Sequence, residues 1–233
     1  MTATALRARS KRALHLCACA TALAIWSAGG SLHAESDFER MGALASKRFG
    51  APAAAAVRAW RDAVGAAKAL PERERLASIN AFFNDRIAFG TDEEIWQDRD
   101  YWATPLETLG KGRGDCEDFS VAKYATLLLA DVPDDKLRLV YVKAQIGGPK
   151  SSVTQAHMVV AYYSAAGAEP LILDNLLPDV MPASRRPDLA PVFSFNSAGL
   201  WVGSAAQATD KQPERRLSNW AGVLKRMREE GLR

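Results

Sequence analysis

The sequence predicts an α+β domain with helices first, an antiparallel sheet after them, and a cysteine heading the helix between the two. Three observations carry this. Apolar residues recur at helical spacing from Phe38 to Ile87. A capped apolar pattern starts at Asp115-Cys116 and continues to about Ala130. Short runs rich in β-branched and aromatic residues, bounded by turn residues, then occupy the chain from Lys136 to Val202. Helices segregated from strands along the chain indicate α+β organisation, not alternating βαβ units.

The first 34 residues read as an export signal. Arg7, Arg9, Lys11 and Arg12 form a positive start, an apolar stretch runs from Ala13 to Ala28, and Leu32-His33-Ala34 offers a small-residue cleavage site. Cleavage would leave a mature start near Glu35. The alternative is an uncleaved anchor, but the apolar run falls short of the roughly 20 residues of a spanning helix. The whole chain carries 30 Lys+Arg against 27 Asp+Glu. Removing the leader takes four basic residues and no acidic one, leaving 26 against 27. The mature protein is then close to neutral, and no basic, aromatic-interleaved patch points to nucleic acid.

Within the mature chain, Phe38, Met41, Leu44 and Ala45 share a helical face. Val57, Trp60, Val64 and Ala67 make the apolar stripe of a second helix over 51–70. Pro71 suits the first turn of a third, which carries Leu76, Ile79, Phe82, Phe83 and Ile87. Gly90-Thr91-Asp92 breaks that period. The stretch 93–112 reads as irregular, with Trp96, Tyr101, Trp102 and Pro105 forming the rim of a site. Asp115 caps the next helix, with Val121, Tyr124, Ala125 and Leu128 facing inward. Strands are expected over 136–145, 156–163 and 170–173, the last two forming a hairpin around 164–169. Short extended pieces follow at 192–195 and 200–202. A polar linker (204–212) and a charged helix (213–228, with Leu217, Trp220, Leu224 and Met227 on one face) end the chain. The organisation is therefore leader 1–34, one domain 35–203, and a polar linker with a charged C-terminal helix over 204–233, whose packing the sequence leaves open.

Beyond the leader the chain keeps one cysteine, Cys116, and one histidine, His157. Exported cysteines normally pair as disulfides, so a lone thiol needs a reason. A helix N-terminus favours thiolate, and its free N–H groups can bind an oxyanion. A buried, inert thiol is the alternative, although Asp115, Glu117 and Asp118 make a poor setting for a core residue. His157 opens a strand and Asp174 ends the next one. Their midpoint falls in the expected turn, which places them opposite or nearly opposite each other, close enough for the carboxylate to orient the imidazole. Asn175 is the alternative orienter, but it would point to the other strand face. A strand histidine satisfied in the core is the non-catalytic alternative.

Three carboxylates beside a thiol oppose its ionisation. Asp115, Glu117 and Asp118 either serve only as helix-dipole partners or hold a hard cation. Calcium, which prefers oxygen ligands and irregular geometry, fits the second reading.

Several motifs occur together in order: Trp-Ala-Thr-Pro (102–105), Gly-Asp-Cys-Glu-Asp (114–118), Ala-His-Met-Val (156–159), Leu-Asp-Asn-Leu (173–176), and Phe-Ser-Phe-Asn (193–196) followed by Gly199-Leu200-Trp201. On these the chain resembles the bacterial transglutaminase-like cysteine proteinases, specifically the LapG-type periplasmic proteases, over about residues 82–201. The resemblance implies a papain/transglutaminase-like fold with a Cys, His, Asp triad at Cys116, His157 and Asp174. It also implies calcium bound by acidic residues beside the nucleophile, matching Asp115 and Glu117, with Asp118 adjoining. It implies cleavage of the N-terminal region of a large surface adhesin, which releases biofilm cells, and inhibition by an inner-membrane receptor that senses cyclic di-GMP. The expected chemistry is hydrolysis through a thioester, with the Cys116 amide as one oxyanion donor and Trp102 as either a second donor or a rim aromatic. The same triad can run transamidation or deamidation, and a non-catalytic peptide-binding module is the rival from another class.

Overall fold

The structure, a computed structural model, describes residues 24–203 and 207–232, with side chains from Asp37 onward. The expected signal lies outside the described side chains. The chain divides into two compact units, Met1–Ser36 and Asp37–Arg233, and the second is the one described below. No described helix is long and apolar enough to cross a membrane.

The helical half is built from α1 (Ala24–Phe49), α2 (Ala51–Lys68) and α3 (Glu72–Arg86). The stripes read from the sequence are the faces that pack: Val57, Trp60, Val64 and Ala67 of α2 are buried, as are Leu76, Ile79, Phe82 and Phe83 of α3. Helix α3 stops at Ile87, whose extended backbone leads into β1 (Ala88–Phe89). This two-residue strand pairs in parallel with β2 (Arg113–Gly114), joining the end of α3 to the entry of the cysteine-bearing helix.

The 93–112 stretch is more regular than its sequence predicts. It holds α4 (Asp92–Ile95) and α5 (Pro105–Lys111). Helix α5 starts with a complete capping box, in which Thr104 Oγ1 accepts from Glu107 N–H and Glu107 Oε2 accepts from Thr104 N–H. The Thr-Pro-Leu-Glu signature of that box was in plain view. Gly112 closes α5 in the left-handed region (φ 63°), where a residue without Cβ is favoured.

Helix α6 (Cys116–Leu129) is the hub. Residues 118–127 are all buried, so the helix is covered on every side instead of presenting one stripe. One flank meets α2, where Trp60 Nε1–H donates to Thr126 Oγ1 at 2.8 Å. Another meets the sheet. The sheet has six antiparallel strands in the order β6-β5-β4-β3-β7-β8, formed by β3 (Leu137–Gln145), β4 (Thr154–Tyr162), β5 (Leu171–Leu173), β6 (Met181–Pro182), β7 (Leu189–Phe195) and β8 (Leu200–Val202). Met158, Val160 and Tyr162 of β4 join the main core, while Val159 and Ala161 join a smaller apolar cluster on the opposite face. That is the period-two alternation of a strand covered on both sides.

The chain after residue 203 does not stand apart from the domain. Its helix α7 runs Ser218–Glu230, preceded by a 3₁₀ turn at Pro213–Arg215 where a continuous helix was expected. Trp220 and Val223 are fully buried, and the Trp220 ring meets Tyr124 of α6 and Phe195 of β7 edge-on. Arg226 reaches Glu107, and Glu230 pairs with Arg48 at 2.5 Å. The physical reason is the apolar face around Trp220, which has to be covered.

Candidate active site

Asp115 is the N-cap of α6, and its Oδ1 accepts the backbone N–H groups of Glu117 and Asp118. Cys116 therefore takes the first helical position, where the backbone N–H has no intrahelical acceptor. One turn on, Ser120 Oγ donates to the Met158 carbonyl at 2.9 Å and ties α6 to β4. The Met158 backbone also lies against the Cys116 sulfur. Met158 follows His157, so this tie brings the cysteine helix onto the histidine strand.

His157 is buried, and its Nε2 lies 2.8 Å from Asp174 Oδ1. The expected pairing of these two residues is present, through a register two residues away from direct opposition. In the β4–β5 ladder Val160 faces Leu173 and Ala161 faces Ile172, so Asp174, just past β5, meets His157 diagonally. Diagonal neighbours share a face and remain within reach of a long side chain. Asp174 Oδ1 also accepts the Leu176 N–H, and Oδ2 accepts from Arg186 at 2.7 Å. Burial alone would raise the Asp174 pKa. The hydrogen bond and charge of His157, the Leu176 amide and Arg186 outweigh burial and bring it down to about 2. With Nε2 committed to Asp174, the free ring nitrogen is Nδ1.

Cys116, His157, Asp115, Glu117 and Asn175 line one cavity of about 500 Å³. Asp174 stands behind His157 and Asn175 faces the cavity, so the structure pairs the imidazole with the aspartate. Phe89, Ile146 and Leu176 line the same cavity and are exposed. An apolar rim of this kind suits apolar side chains on either side of a bond presented to the sulfur. Trp102 is held elsewhere: its Nε1–H donates to Asp100 and its ring stacks on Phe195.

The thiol donates to Glu117 Oε2 at 2.7 Å. Burial, then the charge and hydrogen bond of Glu117, then the charge of Asp115, push the Cys116 pKa up and hold the sulfur as a thiol. Beside it, Asp92, Asp115 and Asp118 bring one carboxylate oxygen each to within 4.8 Å of one another. Burial raises the pKa of all three, and neighbouring carboxylates add to the rise. Asp118 Oδ1 accepts the Ala103 N–H and Asp92 Oδ2 accepts the Tyr101 N–H, while Asp118 Oδ2 and Asp92 Oδ1 are buried without a partner. Two buried carboxylate oxygens without partners, on members of an all-oxygen cluster, fit a hard divalent cation. A Cβ on Gly114 would stand 2.8 Å from Asp118 Cβ and 3.0 Å from its Oδ2, so glycine is needed for that carboxylate to approach. Of the residues expected to hold metal, Asp115 and Asp118 are in the cluster and Glu117 is turned to the thiol. Asp92 is the member that sequence reasoning missed. It sits more than twenty residues upstream, where it reads as part of a helix break.

Helices on an antiparallel sheet, with a cysteine at a helix start and a histidine–aspartate pair between neighbouring strands, make up a papain/transglutaminase-like fold. The chain belongs to the bacterial transglutaminase-like cysteine proteinase family, whose sequence model matches residues 53–189. Among solved structures it is similar to LapG of Legionella pneumophila, at 36% identity, over 82% of this chain and 97% of that one, with a TM-score of 0.67. The calcium-bound and EGTA-treated forms of that protein match with TM-scores of 0.69 and 0.70, also at 36% identity and 82% of this chain, over 98% and 97% of theirs. No curated protein matches the chain.

Proposed function

We propose that this protein is an exported, periplasmic, calcium-dependent cysteine endopeptidase. Its proposed substrate is the N-terminal region of a large surface adhesin, and its proposed regulator is the periplasmic part of an inner-membrane cyclic di-GMP receptor. The observation that carries the protease reading is the His157–Asp174 pair at 2.8 Å on the wall of the cavity that Cys116 opens into. Export rests on the leader-like residues 1–34, and the adhesin and receptor rest on the resemblance to LapG-type proteases.

Cys116 is the nucleophile. His157, fixed by Asp174, takes the thiol proton at Nδ1, and the sulfur attacks the scissile carbonyl. The Cys116 backbone N–H at the head of α6 stabilises the oxyanion. His157 then protonates the leaving amine, and afterwards it activates the water that hydrolyses the thioester. Asp92, Asp115 and Asp118 would hold the cation, with Glu117 adjoining. A bound calcium supplies positive charge that offsets the acidic collar and favours thiolate.

The test is co-expression with N-terminal fragments of candidate adhesins, followed by mapping of new termini. Cleavage by the wild type and none by a folded Cys116→Ala protein is expected. Asp174→Asn should reduce turnover severely. Mass spectrometry separates hydrolysis from deamidation or cross-linking. Full cleavage by Cys116→Ala would overturn the assignment.

A further inference from the structure

The Asp174 carboxylate is gripped at both oxygens. Oδ1 serves His157 and the Leu176 amide, and Oδ2 serves Arg186 Nη2 at 2.7 Å. Arg186 is 4% exposed, follows the 3₁₀ turn at Ala183–Arg185, and is itself anchored. Asp188 accepts from Arg186 Nε at 3.0 and 3.3 Å and from Nη2 at 2.8 Å. The Asp188 carbonyl in turn accepts the N–H of Gln145 on β3. A rigid fork is thus held by one carboxylate so that it can present a donor to another.

We propose that Arg186 is a positioning residue for the site. By holding Asp174 Oδ2 it reserves Oδ1 for His157 Nε2, which fixes the imidazole as the Nε2–H tautomer and turns Nδ1 toward the cavity. A buried carboxylate facing only a neutral imidazole would be poorly compensated, and the guanidinium removes that deficit. Asp188 offsets most of the charge that Arg186 brings, so the imidazole sees a fixed orientation with little added field. The charged groups that face Asp174 are His157 from β4, Lys123 from α6, and the Arg186–Asp188 pair ahead of β7. This inference gains its catalytic meaning from the proposed protease reading, yet its test needs no substrate.

The test is ¹⁵N NMR of the His157 ring in the calcium-saturated full chain, with the signal assigned by its loss in His157→Gln. In wild type the Nε2–H tautomer should dominate the neutral ring. In Arg186→Met the tautomers should mix, and the titration midpoint should rise by about one pH unit, because Asp174 and Asp188 are both left without their shared cation. Arg186→Lys should bring the midpoint back toward wild type. Asp188→Asn, which leaves the guanidinium uncompensated, should move the midpoint down, and it stands as the test if Arg186→Met does not fold. A folded Arg186→Met with wild-type midpoint and tautomer, or an Asp188→Asn midpoint that does not fall, would overturn the proposal. A protein that cleaves no substrate while giving the expected shifts would sink the protease reading alone.

Discussion

Lys123 lies on α6 two turns beyond Cys116, is 1% exposed, and its ammonium has no hydrogen-bond acceptor. Its nearest compensation is the Phe119 ring, with Nζ 5.5 Å from the centroid, and the charge of Asp174. Burial lowers its pKa from 10.5 to about 7, against the raising effect of Asp174. Between those two values the unfolded chain binds the proton more tightly, so this residue's cost to folding is greatest in acid and shrinks as pH rises. At about 1.4 kcal/mol per pH unit, the cost is roughly 5 kcal/mol at pH 6 and roughly 2 kcal/mol at pH 9. Lys123→Met fills similar volume without the charge. It should therefore be more stable than wild type at both pH values, with an advantage about 3 kcal/mol larger at pH 6 than at pH 9. Urea unfolding of both proteins at the two pH values, in saturating calcium, measures this as a shift in midpoint at constant slope. A variant less stable than wild type at pH 6, or an advantage that does not change with pH, would show that the ammonium has a partner and refute the reasoning.

Asp92→Asn removes one of the clustered carboxylates, so thermal-shift titration with calcium should need at least about tenfold more ion to reach the same stabilisation. An unchanged titration would exclude Asp92 from the site. The metal-free protein should lose stability from pH 5 to pH 7.5 relative to the calcium-loaded form. The raised pKa values of Asp92, Asp115 and Asp118 mean that the fold binds protons more tightly than the unfolded chain there, and the cost appears as pH rises. Melting curves of both forms across that range check the sign. Gly114→Ala should weaken calcium binding with little effect on the α2–α3 packing, since its Cβ meets Asp118 first; isothermal titration measures it. Trp220→Ala should cost about 3–5 kcal/mol in chemical denaturation, as for other large buried aromatics.

Much of this was legible because it rests on local pattern. The stripes of α2 and α3 and the Asp115 cap follow from residue spacing and capping chemistry, and both are written in contiguous sequence. The His157–Asp174 meeting was legible from hairpin symmetry, although its register was not. The ladder is set by which side chains of β4 and β5 fill the two apolar clusters, and a turn midpoint does not encode that choice. Asp92 and Arg186 were hidden for another reason. Each acts across a long sequence separation, and each sits in a segment whose local signal is that of a break: Gly-Thr-Asp in one case, a Pro-rich run with paired arginines in the other. Nothing local pointed Arg186 at Asp174. The C-terminal helix was legible as a helix, but where it packs was not, because the hydrophobic demand of Trp220 is visible only against Tyr124 and Phe195.

The place of that last helix carries a consequence for biogenesis. The indole of Trp220 backs the very helix that begins at Cys116, so the core behind that helix is closed by a segment far downstream in the chain. Contacts this distant in sequence cannot form until the chain has been made as far as Trp220. A chain stopped short of Trp220 would leave Cys116 on an unfinished scaffold, so the site depends on a helix remote from it in sequence.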